Sequence, residues 1–473
     1  MKKTLLILCT LIAAVSAQAA TILASLGHIQ EANITYQSVD QNNKAVTLSA
    51  KLYYYKYTEW FKTKYQADFV VLNCHPTISH NEGCPTGSDP QLEAVKYMTT
   101  EKALVICPDY LGFGASKDKV HPYMCNDLTA RNVLDCYKAA IAYAKSHSVT
   151  LAKNYYTINI GYSQGGSTAL AFQKYLETKA TDADRKLVNL QGSLCGAGPY
   201  DLGLAIDIYE QMPTMSYPAL IPYVLQGLYS CYSNTLMKDI TLQQCFTSKF
   251  WNSGFMDKLN AKKTNIDDLN SWLIKNGFKN FYDIMSATYA DRSSNIYKKI
   301  NAALDEQNLL NGEWTPEAPV VFYHYQDDEV VPPAETDAAM EAFAGCQVVK
   351  LTQEDYTISD NQWWDIAFSL GGYSRTLNHR NCGVYFYLMF LAGNMRPDAV
   401  HTGKTNYTFQ RRAKGIIDEI EIPEEEVPLS INQAGTEATV NTIYGINGAK
   451  RNKMQGGVNI IKMSDGTVRK VLK

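Results

Sequence analysis

The chain has 473 residues, enough for one large domain with additions or for two to three ordinary domains. Its 46% hydrophobic and 19% charged composition is that of a globular protein with a real core, which excludes a disordered or fibrous chain. A net charge of −3 offers no electrostatic basis for binding nucleic acid or an anionic membrane surface.

The first residues carry a targeting pattern. Lys2 and Lys3 form a short positive region, Leu5 to Val15 is largely apolar, and Ala17-Gln18-Ala19 supplies the small residues a signal peptidase needs. The apolar run is too short to span a bilayer. Cys9 lies inside that run without a small residue before it, which argues against a lipoprotein anchor. A signal peptide over 1–19 is therefore expected, and with it an exported protein: periplasmic, on the outer cell surface or secreted. A buried N-terminal helix is the plainer alternative. Cleavage after Ala19 removes one of eleven cysteines and leaves ten in an oxidising compartment. Cys74 and Cys107 sit in or beside apolar runs and are expected as free thiols. Cys231 with Cys245, and Cys346 with Cys382, are the candidate bridges, the second bracing the loop that carries His379.

From Asn33 to Tyr200 short apolar runs alternate with helical patterns, the mark of a βαβ arrangement and a mostly parallel sheet. Phe69 to Leu72 and Ala103 to Ile106 read as fully buried strands. Asn126 or Asp127 is expected to cap a helix whose apolar positions are Val133, Leu134, Tyr137, Ala140, Ile141 and Ala144. Tyr155 to Ile160 reads as the next strand. A helix follows through Ala169, Leu170, Phe172 and Leu176, then a strand at Val188 to Leu194.

Between that strand and that helix lies Gly161-Tyr162-Ser163-Gln164-Gly165. A serine hydroxyl is a poor nucleophile unless a sharp turn presents it beside a base and an oxyanion site. Such a turn needs small residues on either side, and it joins a strand to a helix. The pattern alone is weak, but its place between strand and helix makes Ser163 the candidate nucleophile.

The alternation stops from about 209 to 310, where the chain is helical and rich in tyrosine and leucine. An insertion between two sheet strands most simply forms a lid or cap over the site, with a helical extension packed elsewhere as the alternative. The sheet resumes at Pro319 to Tyr323. The loop His324-Tyr325-Gln326-Asp327-Asp328-Glu329-Val330-Val331-Pro332 follows, where a carboxylate would orient an imidazole. Asp328 is preferred over Asp327, and His324 reads as a structural loop histidine. His379, just before an apolar helix at Val384 to Leu391, is the candidate general base, with His401 the weaker rival. Two backbone N–H groups should face the developing oxyanion. One is assigned to Gln164, the other to Thr77, because Pro76 has no N–H to give.

After Lys414 the composition shifts. Asp418 to Glu426 is an acidic linker, and the remainder is basic and reads as small β-structure with turns at Asn447-Gly448 and Asp465-Gly466. The expected divisions are 1–19 signal peptide, 20–415 catalytic domain with its insertion, and 416–473 linker and tail. No His/Asp/Glu cluster has metal-ligand spacing, and no paired C-x-x-C unit occurs.

These residues resemble the α/β-hydrolase superfamily, and most closely the secretory-lipase-like esterases. The likeness rests on Gly-Tyr-Ser-Gln-Gly-Gly at 161–166 and Cys107-Pro108-Asp109-Tyr110-Leu111-Gly112-Phe113-Gly114. It extends through 191–194, 198–201 and the Asp328 loop, covering about 33 to 400. It implies a mostly parallel central sheet with helices on both faces, a helical lid, no cofactor, and hydrolysis of a small-molecule, lipid or glycan ester through an acyl-enzyme. Two features depart from the family: Pro76 stands where a glycine usually follows the histidine, and the interval from Asp328 to His379 is long. The tail resembles the short sorting tails of exported Bacteroidota proteins, which implies an export machinery as partner; a passive β-hairpin appendage is the alternative. The competing functions are a serine exopeptidase on the same fold and a non-catalytic surface binding protein.

Overall fold

The computed structural model describes residues 27–57, 65–87, 95–147, 149–351, His379, Phe386, Tyr387 and four short strands from residue 440 onward. The expected leader at 1–19, Cys382, His401, the acidic linker and both expected tail turns lie outside the described residues.

β1 (Gly27–Val39) and β2 (Ala45–Tyr57) pair as an antiparallel hairpin. In its turn Asp40 Oδ1 accepts the N–H groups of Asn42 and Lys44, at 2.9 and 3.0 Å. β3 (Gln66–Cys74), β4 (Ala103–Pro108), β5 (Thr150–Tyr162), β6 (Leu190–Gly196), β7 (Val320–Tyr323) and β8 (Val348–Leu351) follow. The eight strands lie in the order β1-β2-β4-β3-β5-β6-β7-β8. β2 runs antiparallel to β4, and every pair from β4 through β8 is parallel. The chain moves one way from β3 to β4 and the other way from β3 to β5. A crevice therefore opens at the carboxyl ends of β3 and β5, where open α/β sheets hold their ligands.

The core follows from strand alternation. Val70, Leu72, Leu104 and Ile106 face one side with Val133, Leu134, Tyr137, Ala140, Ile141 and Ala144 of helix α1 (Asn126–Ser146). Phe172 and Leu176 of α2 (Gln164–Thr178) join them. Phe69, Val71, Val105, Ile158 and Ile160 face the other side with Val95, Met98, Phe386 and Tyr387. Two boundaries differ from expectation. α1 begins at Asn126, but neither Asn126 nor Asp127 caps it: Gln307 takes that place, its side-chain oxygen accepting the Asn126 N–H. Val188 ends a short helix, α3 (Asp182–Val188), because Asn189 adopts the left-handed conformation (φ 47°) that terminates it.

Between β6 and β7 stand seven helices: α4 (Leu202–Gln211), α5 (Leu220–Tyr232), α6 (Ser248–Trp251), α7 (Phe255–Ala261), α8 (Ile266–Lys275), α9 (Phe281–Ile284) and α10 (Asn295–Glu306). They have a core of their own, in which Phe250, Phe255, Phe278, Phe281 and Tyr289 are buried. Polar contacts fasten them to the sheet loops. Tyr223 O–H donates to Ile78 O (2.8 Å), Tyr209 O–H to Val330 O (2.6 Å) and Ser79 O–H to Thr264 O (2.7 Å). The Lys262 ammonium donates to the carbonyls of Gly112, Lys117 and Lys119. α11 (Ala334–Ala342) packs after β7.

The cysteine expectation needs correction. Cys231 and Cys245 are free thiols, Cys231 on α5 and Cys245 in a 3-10 turn where its thiol donates to Thr241 O. Cys346 is also free. Cys74 and Cys107 are buried free thiols, as expected from their apolar runs. In a second unit, β9 (Val440–Gly445), β10 (Lys450–Arg451), β11 (Val458–Met463) and β12 (Val468–Leu472) form one antiparallel sheet ordered β10-β9-β11-β12. Among the described residues no helix is long and apolar enough to cross a membrane.

Candidate active site

β5 ends at Tyr162 and α2 begins at Gln164, so Ser163 forms the whole connection. Its backbone sits at φ 57°, ψ −124°, a conformation that L-residues other than glycine rarely adopt. Its N–H donates to Gly196 O on the neighbouring strand at 2.8 Å, which pins the turn. The flanking glycines are sterically required. A Cβ on Gly161 would lie 2.1 Å from Gly165 O, and one on Gly165 would lie 2.1 Å from Cys74 O. The turn is therefore tight because its glycines let β3, β5 and α2 approach backbone to backbone.

The loop after β7 presents Asp328, buried at 8% exposure. Its Oδ1 accepts the N–H groups of Val330 (2.8 Å) and Val331 (2.9 Å), and its Oδ2 lies 2.6 Å from Nδ1 of His379. Burial alone would push this carboxyl up. The adjacent His379 charge and hydrogen bonds from His324 and His379 outweigh it and hold the carboxyl well below the usual carboxylate range. Asp328 is thus an anion that needs strongly acid conditions to be neutralised. Asp327 is exposed, its Oδ2 accepting from the Tyr325 hydroxyl at 3.3 Å. His324 is buried, its ring nitrogens meeting Thr336 Oγ1 (2.6 Å) and Val331 O (3.0 Å), and its Nε2 also lies 3.6 Å from Asp328 Oδ2.

Ser163 and His379 line one cavity of about 590 Å³. Thr77 lines it as well, its hydroxyl sharing a hydrogen with Tyr123 O–H at 2.8 Å. Among the described residues, the hydrogen bonds of His379 run to Asp328 and Glu329, and its ring stands 5.0 Å from that of Tyr162. Gln164 is the first residue of α2, where a main-chain N–H has no partner within the helix and the positive end of the helix dipole points outward. Much of the cavity wall is apolar: Leu202 and Ile206 of α4, Ile221 and Val224 of α5, and Val330 and Val331 of the Asp328 loop. At another part of the wall stand Tyr217 and Asp267, hydroxyl to carboxylate at 2.8 Å. Among the described residues no group of three or more His, Cys, Asp or Glu side chains could hold a metal ion.

Two residues of the site were not read from the sequence. His121 is buried beneath Gln164, and burial pushes its imidazolium down to about 3, so the ring is neutral. Leu111 O (2.7 Å) can only accept, so Nδ1 carries the hydrogen and Nε2 accepts from the Gln164 side-chain amide at 3.0 Å. The second is Glu329, whose carboxylate accepts the backbone N–H of His379. Neither could be found from spacing, since the partners are 43 and 50 residues apart and no motif joins them.

A model of the secretory lipase family matches residues 91–362. No curated protein matches the chain. Among solved structures, the rice cell wall degrading esterase LipA from Xanthomonas oryzae is 21% identical; the match covers 77% of this chain and 90% of that one, with a TM-score of 0.59. A hydrolase from Legionella pneumophila is 17% identical over 77% and 87% of the two chains, with a TM-score of 0.58. Candida antarctica lipase A is 14% identical over 76% and 80%, with a TM-score of 0.50. With the strand order above, these likenesses give the fold as that of the α/β-hydrolases.

Proposed function

The chain belongs to the secretory lipase family and is an ester hydrolase, and from that premise we propose that it is an exported serine hydrolase cleaving carboxylic esters through an acyl-enzyme on Ser163. The observation that carries the reading is the strained Ser163 turn facing the same cavity as the Asp328–His379 pair. In this mechanism His379 takes the hydroxyl proton as Ser163 Oγ bonds to the ester carbonyl carbon. Asp328, held as an anion, stabilises the imidazolium that forms and fixes the Nδ1–H tautomer. The carbonyl oxygen becomes an oxyanion, for which the backbone N–H groups of Gln164 and Thr77 are the assigned donors. Collapse of the tetrahedral intermediate breaks the C–O bond to the alcohol, and His379 returns the proton to that oxygen. Water then attacks the acyl-enzyme by the same route and releases the acid and free Ser163.

The apolar walls from α4 and α5 favour an uncharged acyl group, and the cavity volume falls within the range that encloses a drug-sized ligand. A lipid, a short-chain ester and a cell-wall acetyl or feruloyl ester are the candidate substrates. The family's secretory character supports export, with the leader at 1–19 as signal. The separate antiparallel sheet after Pro423 is read as the delivery module that an export machinery recognises. The test is a p-nitrophenyl ester series from acetate to palmitate on the mature protein and its Ser163→Ala variant. Turnover peaking at one chain length and lost in the variant is expected. Full turnover by the variant would refute the assignment.

A further inference from the structure

The loop after β7 reaches His379 twice. Asp328 Oδ2 meets the ring nitrogen Nδ1 at 2.6 Å, and the next residue, Glu329, receives the main-chain N–H of the same histidine on both carboxylate oxygens, at 3.2 and 3.1 Å. Resting on the proposed role of His379 as general base, we propose that Glu329 is a positioning residue that anchors the His379 backbone while Asp328 aims its ring.

A ring held only through Nδ1 can still pivot, because the main chain can shift and the Cα–Cβ torsion can follow it without breaking that bond. The consequence falls on Nε2, the atom that must reach the Ser163 hydroxyl, since small displacements of a base are felt steeply in the transition state. A second contact at the backbone removes that freedom. The loop carrying both carboxylates is itself well tied. Asp328 Oδ1 takes the N–H groups of Val330 and Val331, and Val330 O accepts from Tyr209 O–H of α4 at 2.6 Å. The ring's remaining described neighbour is Tyr162 of β5, adjacent to Ser163, at 5.0 Å between centroids. Ring, main chain and nucleophile are thereby referenced to the carboxyl ends of β5 and β7. Glu329 is exposed and Asp328 is buried, so the two carboxylates divide the work: one keeps its charge against the imidazole out of water, the other uses a solvent-facing carboxylate as a tether.

Because Glu329 is exposed, its replacement leaves the core intact, and the tether can be tested on the full mature chain. In Glu329→Ala, kcat should fall by about tenfold to a hundredfold while KM changes by less than about twofold, the pattern of an interaction realised in the transition state. The thermal midpoint should not move. Glu329→Gln keeps a side-chain carbonyl oxygen to accept the N–H and should recover most of the lost kcat. A Glu329→Ala enzyme with wild-type kcat overturns the inference, and so does a Gln variant as slow as the Ala variant. Ser163→Ala and His379→Ala run alongside keep the two claims apart. If both are dead while Glu329→Ala is wild-type, only the tether fails; if Ser163→Ala turns over, the reading beneath it fails.

Discussion

Ser163 is held at φ 57° between two glycines whose missing side chains make room for backbone. At both glycines the obstructing atom is a main-chain carbonyl oxygen, and at Gly165 it is that of Cys74 at the end of the central strand β3. A backbone atom there cannot swing aside as a side chain could. Gly165→Ala should therefore cost about 3 kcal/mol or more, as overpacking at an unyielding site does, read as a lower urea midpoint with loss of esterase activity. The Gly-x-Ser-x-Gly pattern was legible because this steric demand leaves a mark in the local sequence. The preference for Asp328 came from the likeness of its Val-Val-Pro loop to those of the resembled fold, and the structure puts Asp328, not the exposed Asp327, against His379. His121 and Glu329 were not legible, since a hydrogen bond between chain-distant residues has no local period to betray it.

At the scale of elements, the strands that read well were the continuously apolar ones, Phe69 to Leu72 and Ala103 to Ile106, because burial on both faces admits no polar position. The start of α1 read poorly because its cap arrives from Gln307, in a distant part of the chain. The fastening of α7 to the sheet is equally non-local. Lys262 follows α7 in a left-handed conformation, places its ammonium among three carbonyls of the 112–119 loop, and lies 5.4 Å from the Phe113 ring. Burial pushes this amine down to about 8, with the nearby Asp118 carboxylate pulling the other way. Lys262→Ala removes every one of these donors. It should destabilise the protein by about 2 kcal/mol, the range for hydrogen bonds to a charged group, and expose the 255–265 segment to proteolysis at a rate the wild-type does not show. Unchanged melting and unchanged nicking would mean that the other cap contacts suffice.

For the molecule as a whole, stability should carry the imprint of one buried acid. Glu335, in the first turn of α11, is fully buried; its Oε2 accepts the N–H groups of Tyr200 (2.8 Å) and Asp201 (2.7 Å), while among the described residues Oε1 has no hydrogen-bond partner. Burial pushes its carboxyl up to about 8, against the backbone hydrogen bonds that pull it down. The unfolded chain releases this proton near pH 4 to 5, at the ordinary glutamate value of about 4.3, whereas the folded chain keeps it to about 8. Between those limits the unfolded state binds fewer protons, so this group lowers stability as pH rises, and the loss is complete above about 8. Glu335→Gln, neutral throughout, should melt higher than wild-type at pH 9 and much closer to it at pH 4. Parallel melting curves at both pH values would show that the site does not titrate in this way. The overall architecture was legible because alternation of strand and helix is a property of long stretches. The free thiols of Cys231 and Cys245 were not, because cysteine pairing depends on tertiary distance alone.

The most direct measurement of the central claim is peptide-resolved mass spectrometry of the mature protein after reaction with a fluorophosphonate, which is attacked only by an activated serine. The expected result is one adduct, on the peptide containing Ser163, formed at a rate that collapses in His379→Ala and absent in Ser163→Ala. An adduct on another serine, or none on active enzyme, would contradict the assignment of Ser163 as the nucleophile.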